Sequence, residues 1–145
     1  MNINKKDVTL WINVAAFVLS LIATIVLTVA NYTRGFSLVG GATVTVYAVV
    51  ALLLVAACLV LSVRFGSQSL LAAVSGIAAV VLMTFAFGTV ILERIDLFGG
   101  LFSWDNLNTA GWGVFYLTAA ATVLFLLAIV LLIVNAFRDN RKEVK

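Results

Sequence analysis

The sequence predicts an all-α integral membrane protein, a bundle of four transmembrane helices, and three observations predict it. Of its 145 residues, 64% are hydrophobic and only 10% are charged; soluble domains run at about 45–50% and about 25%. A soluble domain of this length buries only about 70% of its unfolded surface, so the surplus apolar surface has to face lipid. Second, the apolar residues fall into four runs, roughly Leu10–Ala30, Gly40–Val63, Leu70–Leu92 and Trp112–Phe137, each without charge over its middle. About 20 helical residues cross the hydrocarbon layer, and all four runs are long enough. Third, the runs do not alternate polar with apolar, which favours helices over barrel strands as the way to pair every backbone amide in lipid. The expectation is one four-helix domain over residues 1–145.

The first run follows "MNINKKD" and ends in "TVAN", which superficially suggests a secretory signal. Its apolar core is far longer than the about 7–15 residues of a signal h-region, so it reads as a retained span. At 100° per residue, Asn13, Ala16, Ser20, Thr24, Thr28 and Asn31 share one face, while Val18, Ile22, Ile25, Val26 and Val29 share the opposite one. Helices associate in lipid through close packing of small residues and through hydroxyl or amide hydrogen bonds. The polar and small stripe is therefore expected to face other helices, and the branched aliphatic face to meet lipid.

The second run opens at "RGFSLVGG" and carries Cys58, a single thiol in "LLVAACLVL" that reads as a small hydrophobe. The turn "RFGSQS" joins it to the third run, where Ala72, Ser75, Gly76, Ala79, Met83 and Ala86 form a second packing stripe and Gly88 is the expected weak point. The fourth run offers Gly111, Thr118, Ala121, Thr122 and Ala128.

Basic residues give the orientation. With a cytoplasmic amino terminus, Lys5, Lys6, Arg64, Arg138, Arg141, Lys142 and Lys145 lie inside and only Arg34 and Arg94 outside. This positive-inside bias predicts both termini cytoplasmic, in a plasma or inner membrane. Trp11, Tyr32, Trp104, Trp112 and Tyr116 fall near the ends of spans, where amphipathic rings favour the headgroup level. The net charge of +3 thus reflects topology, and no nucleic-acid partner is expected.

Between the third and fourth runs lies "LERIDLFGGLFSWDNLNTAGWG", with three of the six acidic residues. Residues 93–111 are long for a link between helices, which usually takes about 2–8 residues. The stretch reads as an amphipathic outer loop, with Gly99 and Gly100 permitting a sharp turn and Ser103 or Asp105 able to cap a short helical turn. Lying on the headgroups and closing the bundle is the first expectation. A docking surface built from Glu93, Asp96, Phe98, Phe102, Trp104 and Trp112 is the second, because aromatics with a polar fringe suit interfaces.

Missing chemistry narrows the function. There is no histidine, and no span carries Asp, Glu, Lys or Arg at mid-depth, whereas proton relays and ion pathways need such groups. Proton-coupled pumps of the small four-helix multidrug type carry a carboxylate in the first helix, where this chain has Ser20 and Thr24. Acid–base and nucleophilic catalysis need positioned titratable groups, and only Glu93 and Asp96 are candidates, more simply read as a solvated helix end. No catalytic residue, metal site or cofactor is expected.

Two outer fragments look alike, "RGFSLVGG" from Arg34 and "RIDLFGG" from Arg94, and hint at two tandem hairpins. The fragment "RGFSLVGGATVTVYAVV" resembles the first span of GtrA-like proteins, four-helix membrane proteins linked to sugar-lipid translocation. In that family the motif opens the first helix from the cytoplasmic side. Here it opens the second from outside, and the asparagine- and arginine-rich end of the family's second helix is missing, so no function is carried over. The reading is a non-catalytic multi-pass accessory or structural subunit. It works through its packing stripe (Asn13, Ser20, Thr24, Thr28, Ser75, Gly76, Ala79, Thr118, Thr122) and its outer loop, and its partners are the lipid bilayer and a larger membrane protein or a second copy. The alternative is a small oligomeric channel or carrier lined by the Ser/Thr face of the first span.

Overall fold

The computed structural model describes residues 5–66, 69–103 and 108–140. They form five helices: α1 (Lys5–Asn31), α2 (Gly41–Phe65), α3 (Leu70–Glu93), α4 (Ile95–Ser103) and α5 (Thr109–Asn140). Four of them, α1, α2, α3 and α5, are long and apolar enough to cross a membrane, and they coincide with the four apolar runs. Their ends are set locally. Ser69 Oγ accepts the Ala72 N–H at 3.2 Å and caps α3, and Asn108 Oδ1 accepts the Gly111 N–H at 2.9 Å at the start of α5. Such caps satisfy amides that the first turn leaves free. Past the end of α2, Gly66 adopts a φ of +89°, which glycine tolerates and other residues resist.

The long helices run up and down and close into a ring in chain order. α1 packs most extensively against α5, and α2 against α3, while the α1/α2 and α3/α5 seams are looser. No close backbone approach joins α1 to α3 or α2 to α5 among the described residues. Buried positions recur at alternating three- and four-residue steps, as in Gly41, Val44, Ala48, Ala51, Val55 and Cys58 on α2. That spacing is the seam of a left-handed bundle. Alanine dominates the interior, with Ala16, Ala23, Ala48, Ala51, Ala79, Ala86, Ala121 and Ala128 sealed off almost completely, so the backbones can approach closely. Phe125, Leu27 and Met83 are the largest side chains buried there.

Several expectations are corrected. The stretch 93–111 is mostly not a loop: α4 occupies Ile95–Ser103, and α5 begins at Thr109 rather than Trp112. Gly99 and Gly100 lie inside α4 and make no turn, because apolar neighbours on either side pack the helix against α5. Gly88 lies within an unbroken α3; the interruption comes at Arg94. The proposed cap at Asp105 falls outside the described residues. The two glycine-pair fragments are not counterparts either, since Gly41 opens α2 while Gly99 and Gly100 sit mid-helix. The structural counterpart of Gly41 is Gly111. Gly41, Val44, Ala48, Ala51, Val55 and Cys58 on α2 match the buried Gly111, Val114, Thr118, Ala121, Phe125 and Ala128 on α5, a register that two helices of the same seam spacing share.

Candidate functional site

Two regions carry the polar and aromatic chemistry: the seam inside the ring and the end that bears α4. In the seam, Asn13, Ser20, Thr24, Ser75, Ala79 and Thr118 are buried, and Thr28, Gly76 and Thr122 are half-buried. On the opposite face of α1, Val18, Ile22, Ile25 and Val29 are exposed, while Val26 is half-buried against the core. A Cβ on Gly76 would meet Cys58 Sγ at 3.6 Å, so the glycine faces α2.

The hydroxyls of this seam turn back on their own helices. Ser20 donates to the Phe17 carbonyl, Thr24 to Ser20, Thr28 to Thr24, Ser75 to Ala72, Thr118 to Val114 and Thr122 to Thr118, at 2.7–2.9 Å. The expected hydroxyl bonds between helices are replaced by this local bonding, because a Ser or Thr in a helix always has the carbonyl three or four residues back within reach. A side-chain pair does cross the bundle: Asn135 Nδ2 donates to Asn13 Oδ1 at 2.9 Å between α5 and α1. Sequence reading placed Asn13 on the seam and overlooked Asn135. Its signal was a lone amide in "LLIVNAF", four residues past the half-buried Leu131 and three past the buried Leu132.

At the other end, α4 continues α3 after a single non-helical residue, Arg94. It packs only on α3 and α5 and does not fold over α1 and α2, so it does not close the ring. Phe98 meets Phe115 edge to face with ring centroids 5.1 Å apart, and Phe102 meets Trp112 at 5.1 Å and Phe115 at 5.4 Å. Trp112 and Phe115 also contact Tyr116. As the chain advances along α4, its partners retreat along α5, so the two segments are antiparallel. Leu101 is buried, and a Cβ on Gly111 would lie 2.9 Å from its Cδ2; the glycine is what permits this approach.

Arg94 reads in sequence as a solvated outer charge, but it is 3% exposed. Its Nη2 donates to the Ala30 carbonyl at 2.8 Å and to the Phe36 carbonyl at 3.1 Å. Ala30 lies in the last turn of α1, where carbonyls lack helical partners and the helix dipole is negative. Burial pushes the guanidinium below its usual pKa, and the neighbouring Glu93 carboxylate pushes the other way; an arginine stays charged regardless. Glu93 itself is exposed and lies over the start of α2, with Oε1 2.9 Å from where a Cβ on Gly40 would sit. A carboxylate at a helix start is favourably placed. The consecutive Glu93 and Arg94 thus address the start of α2 and the end of α1, each with the matching sign.

The sequence-predicted docking residues separate accordingly. Glu93 and Asp96 are exposed, Phe98 and Trp112 half-buried, and Phe102 64% exposed; Trp104 lies outside the described residues. Glu93 and Asp96 do not form a cation site with a third ligand: no group of three His, Cys, Asp or Glu comes together among the described residues. Compared with known proteins, the chain matches no family model, no curated protein and no solved structure.

Proposed function

We propose that this chain is a non-catalytic accessory or structural subunit of a larger membrane protein. It sits in a plasma or inner membrane with both termini cytoplasmic and offers α4 and the first turns of α5 as its outer docking surface. The observation that carries this reading is the exposed aromatic tip. Arg94 reaches the last turn of α1, so nine further residues of α4 carry the chain about 13 Å past that level. The distance from Trp11 to Tyr32, both exposed, is about 31 Å along the helix, close to the about 30 Å of hydrocarbon. On that scale Phe102 stands at or beyond the headgroups with most of its ring uncovered, and an apolar ring there favours a protein contact.

The seam supports the same reading over a conduit. Its hydroxyl donors are already bonded to their own backbone, which suits a dry packed interface.

The test uses the full chain in native membrane. Phe102→Ser should reduce co-purification of one defined membrane partner at least several-fold while the thermal unfolding of the bundle stays intact. The purified chain alone in liposomes should give no saturable solute flux. Undiminished capture by Phe102→Ser removes the docking surface, and saturable flux abolished by Thr24→Val establishes the carrier instead. Cysteines at Ser37 and Ser103 that react only from the cytoplasmic side would reverse the topology.

A further inference from the structure

Arg94 holds two positions in the architecture at once. Its backbone (φ −103°, ψ 6°) is the single break between α3 and α4, and its N–H points back to the Val90 and Ile91 carbonyls at 3.1 and 3.3 Å. Its side chain leaves that break and crosses to α1 and the α1–α2 connector. Apart from this side chain, α4 is tied to the bundle by its packing on α3 and on the start of α5. Polar groups beside the break remain without partners: Arg94 Nε and both side-chain atoms of the buried Asn31. Buried polar groups that already lack partners regain solvation when a site opens, which lowers the cost of opening there.

We propose that Arg94 is both the hinge between α3 and α4 and the latch that stops it, so that the α4 projection has a held and a released position. In the held position the guanidinium grips the Ala30 and Phe36 carbonyls. In the released position those two bonds are lost, and α4 swings about residue 94 with the α5 start that its aromatic rings grip. The first turns of α5, with Gly111 and Val114 in the seam, shift with α4, while the far end of the ring, tied by Asn13 and Asn135, stays as it is. This holds whether or not a partner docks on the projection.

The test measures distances between spin labels on Ser37→Cys in the α1–α2 connector and Ser103→Cys at the end of α4, both exposed, in a Cys58→Ser background reconstituted in lipid. A control pair, Ala15→Cys with Phe137→Cys, reports the α1/α5 seam. The chain with Arg94 should give one narrow distribution. Arg94→Gln should at least double its width or add a second distance while the control pair is unchanged. Arg94→Lys, whose ammonium cannot fork between two carbonyls as a guanidinium does, should fall between the two. An unchanged Ser37–Ser103 distribution in Arg94→Gln with the control intact overturns the proposal. So does a broad distribution when Arg94 is present, which decides the matter even if Arg94→Gln does not fold. Should that variant misfold, an Arg94→Lys distribution as narrow as the original also overturns it.

Discussion

A long-range polar tie is found at each end of the bundle among the described residues, and the two ties are of different kinds. Toward the termini, Asn135 bonds Asn13, side chain to side chain and neutral to neutral. Toward α4, Arg94 bonds the carbonyls of Ala30 and Phe36, side chain to backbone and charged to neutral. The first tie has two replaceable partners. The second has one, because a backbone carbonyl cannot be mutated away. Removing one partner leaves a buried polar group stranded, whereas removing both can be close to neutral. The comparison therefore separates a tie in which both partners can be exchanged from one in which only the arginine can.

The largest expected effect is at Arg94. Arg94→Leu strands two carbonyls and removes charge-assisted bonds, and should lower stability by about 3 kcal/mol, read as thermal unfolding in detergent. A loss under about 1 kcal/mol would make the two ties equivalent. Next comes the neutral tie: Asn135→Leu should cost about 1–2 kcal/mol, since it leaves the Oδ1 of the buried Asn13 without its donor. The double variant Asn13→Leu/Asn135→Leu should recover most of that loss. A double variant as unstable as the sum of the singles would show that the amides do more than satisfy each other. Phe102→Ser removes two edge-to-face ring contacts at an exposed position and should cost about 1 kcal/mol, with its main effect on partner capture. Smallest is Thr24→Val, which should change stability by less than about 0.5 kcal/mol, because the hydroxyl it removes bonds only its own helix. A larger loss would mean that the seam hydroxyls act between helices after all.

Most of the bundle was legible in the sequence, and the reason is physical. Membrane-length helices announce themselves by composition over some 20 residues, and the angular stripe of α1 separates Asn13, Ser20 and Thr24 from Ile22, Ile25 and Val29. What was not legible depends on single side chains. Arg94 looks like every other arginine flanking a span, and only the approach of α1 reveals that it turns inward. The Gly99–Gly100 pair reads as a turn, yet Phe98, Leu101 and Phe102 around it have rings and aliphatic groups on α5 to pack against, and tertiary packing overrides a local preference of about 1 kcal/mol per glycine. The start of α5 moved to Thr109 because Asn108 supplies a cap, a signal present in the sequence but masked by the nearby Asp105 and Asn106 of "DNLN". Asn135 was passed over because one amide in a long aliphatic run does not shift an average. The seam hydroxyls were located by angle, but their partners were not, since both the local and the crossing bond satisfy the same donor.

The clasp at Arg94 also bears on the timing of synthesis. Its two acceptors precede it by 64 and 58 residues, so the first hairpin has already left the ribosome when the arginine emerges. Each newly made second hairpin must then find the first in order to shelter that charge, and a chain whose early half is missing or misplaced exposes an orphan cation at the membrane boundary. The shelter of that one charge thus joins the late half of the chain to the early half.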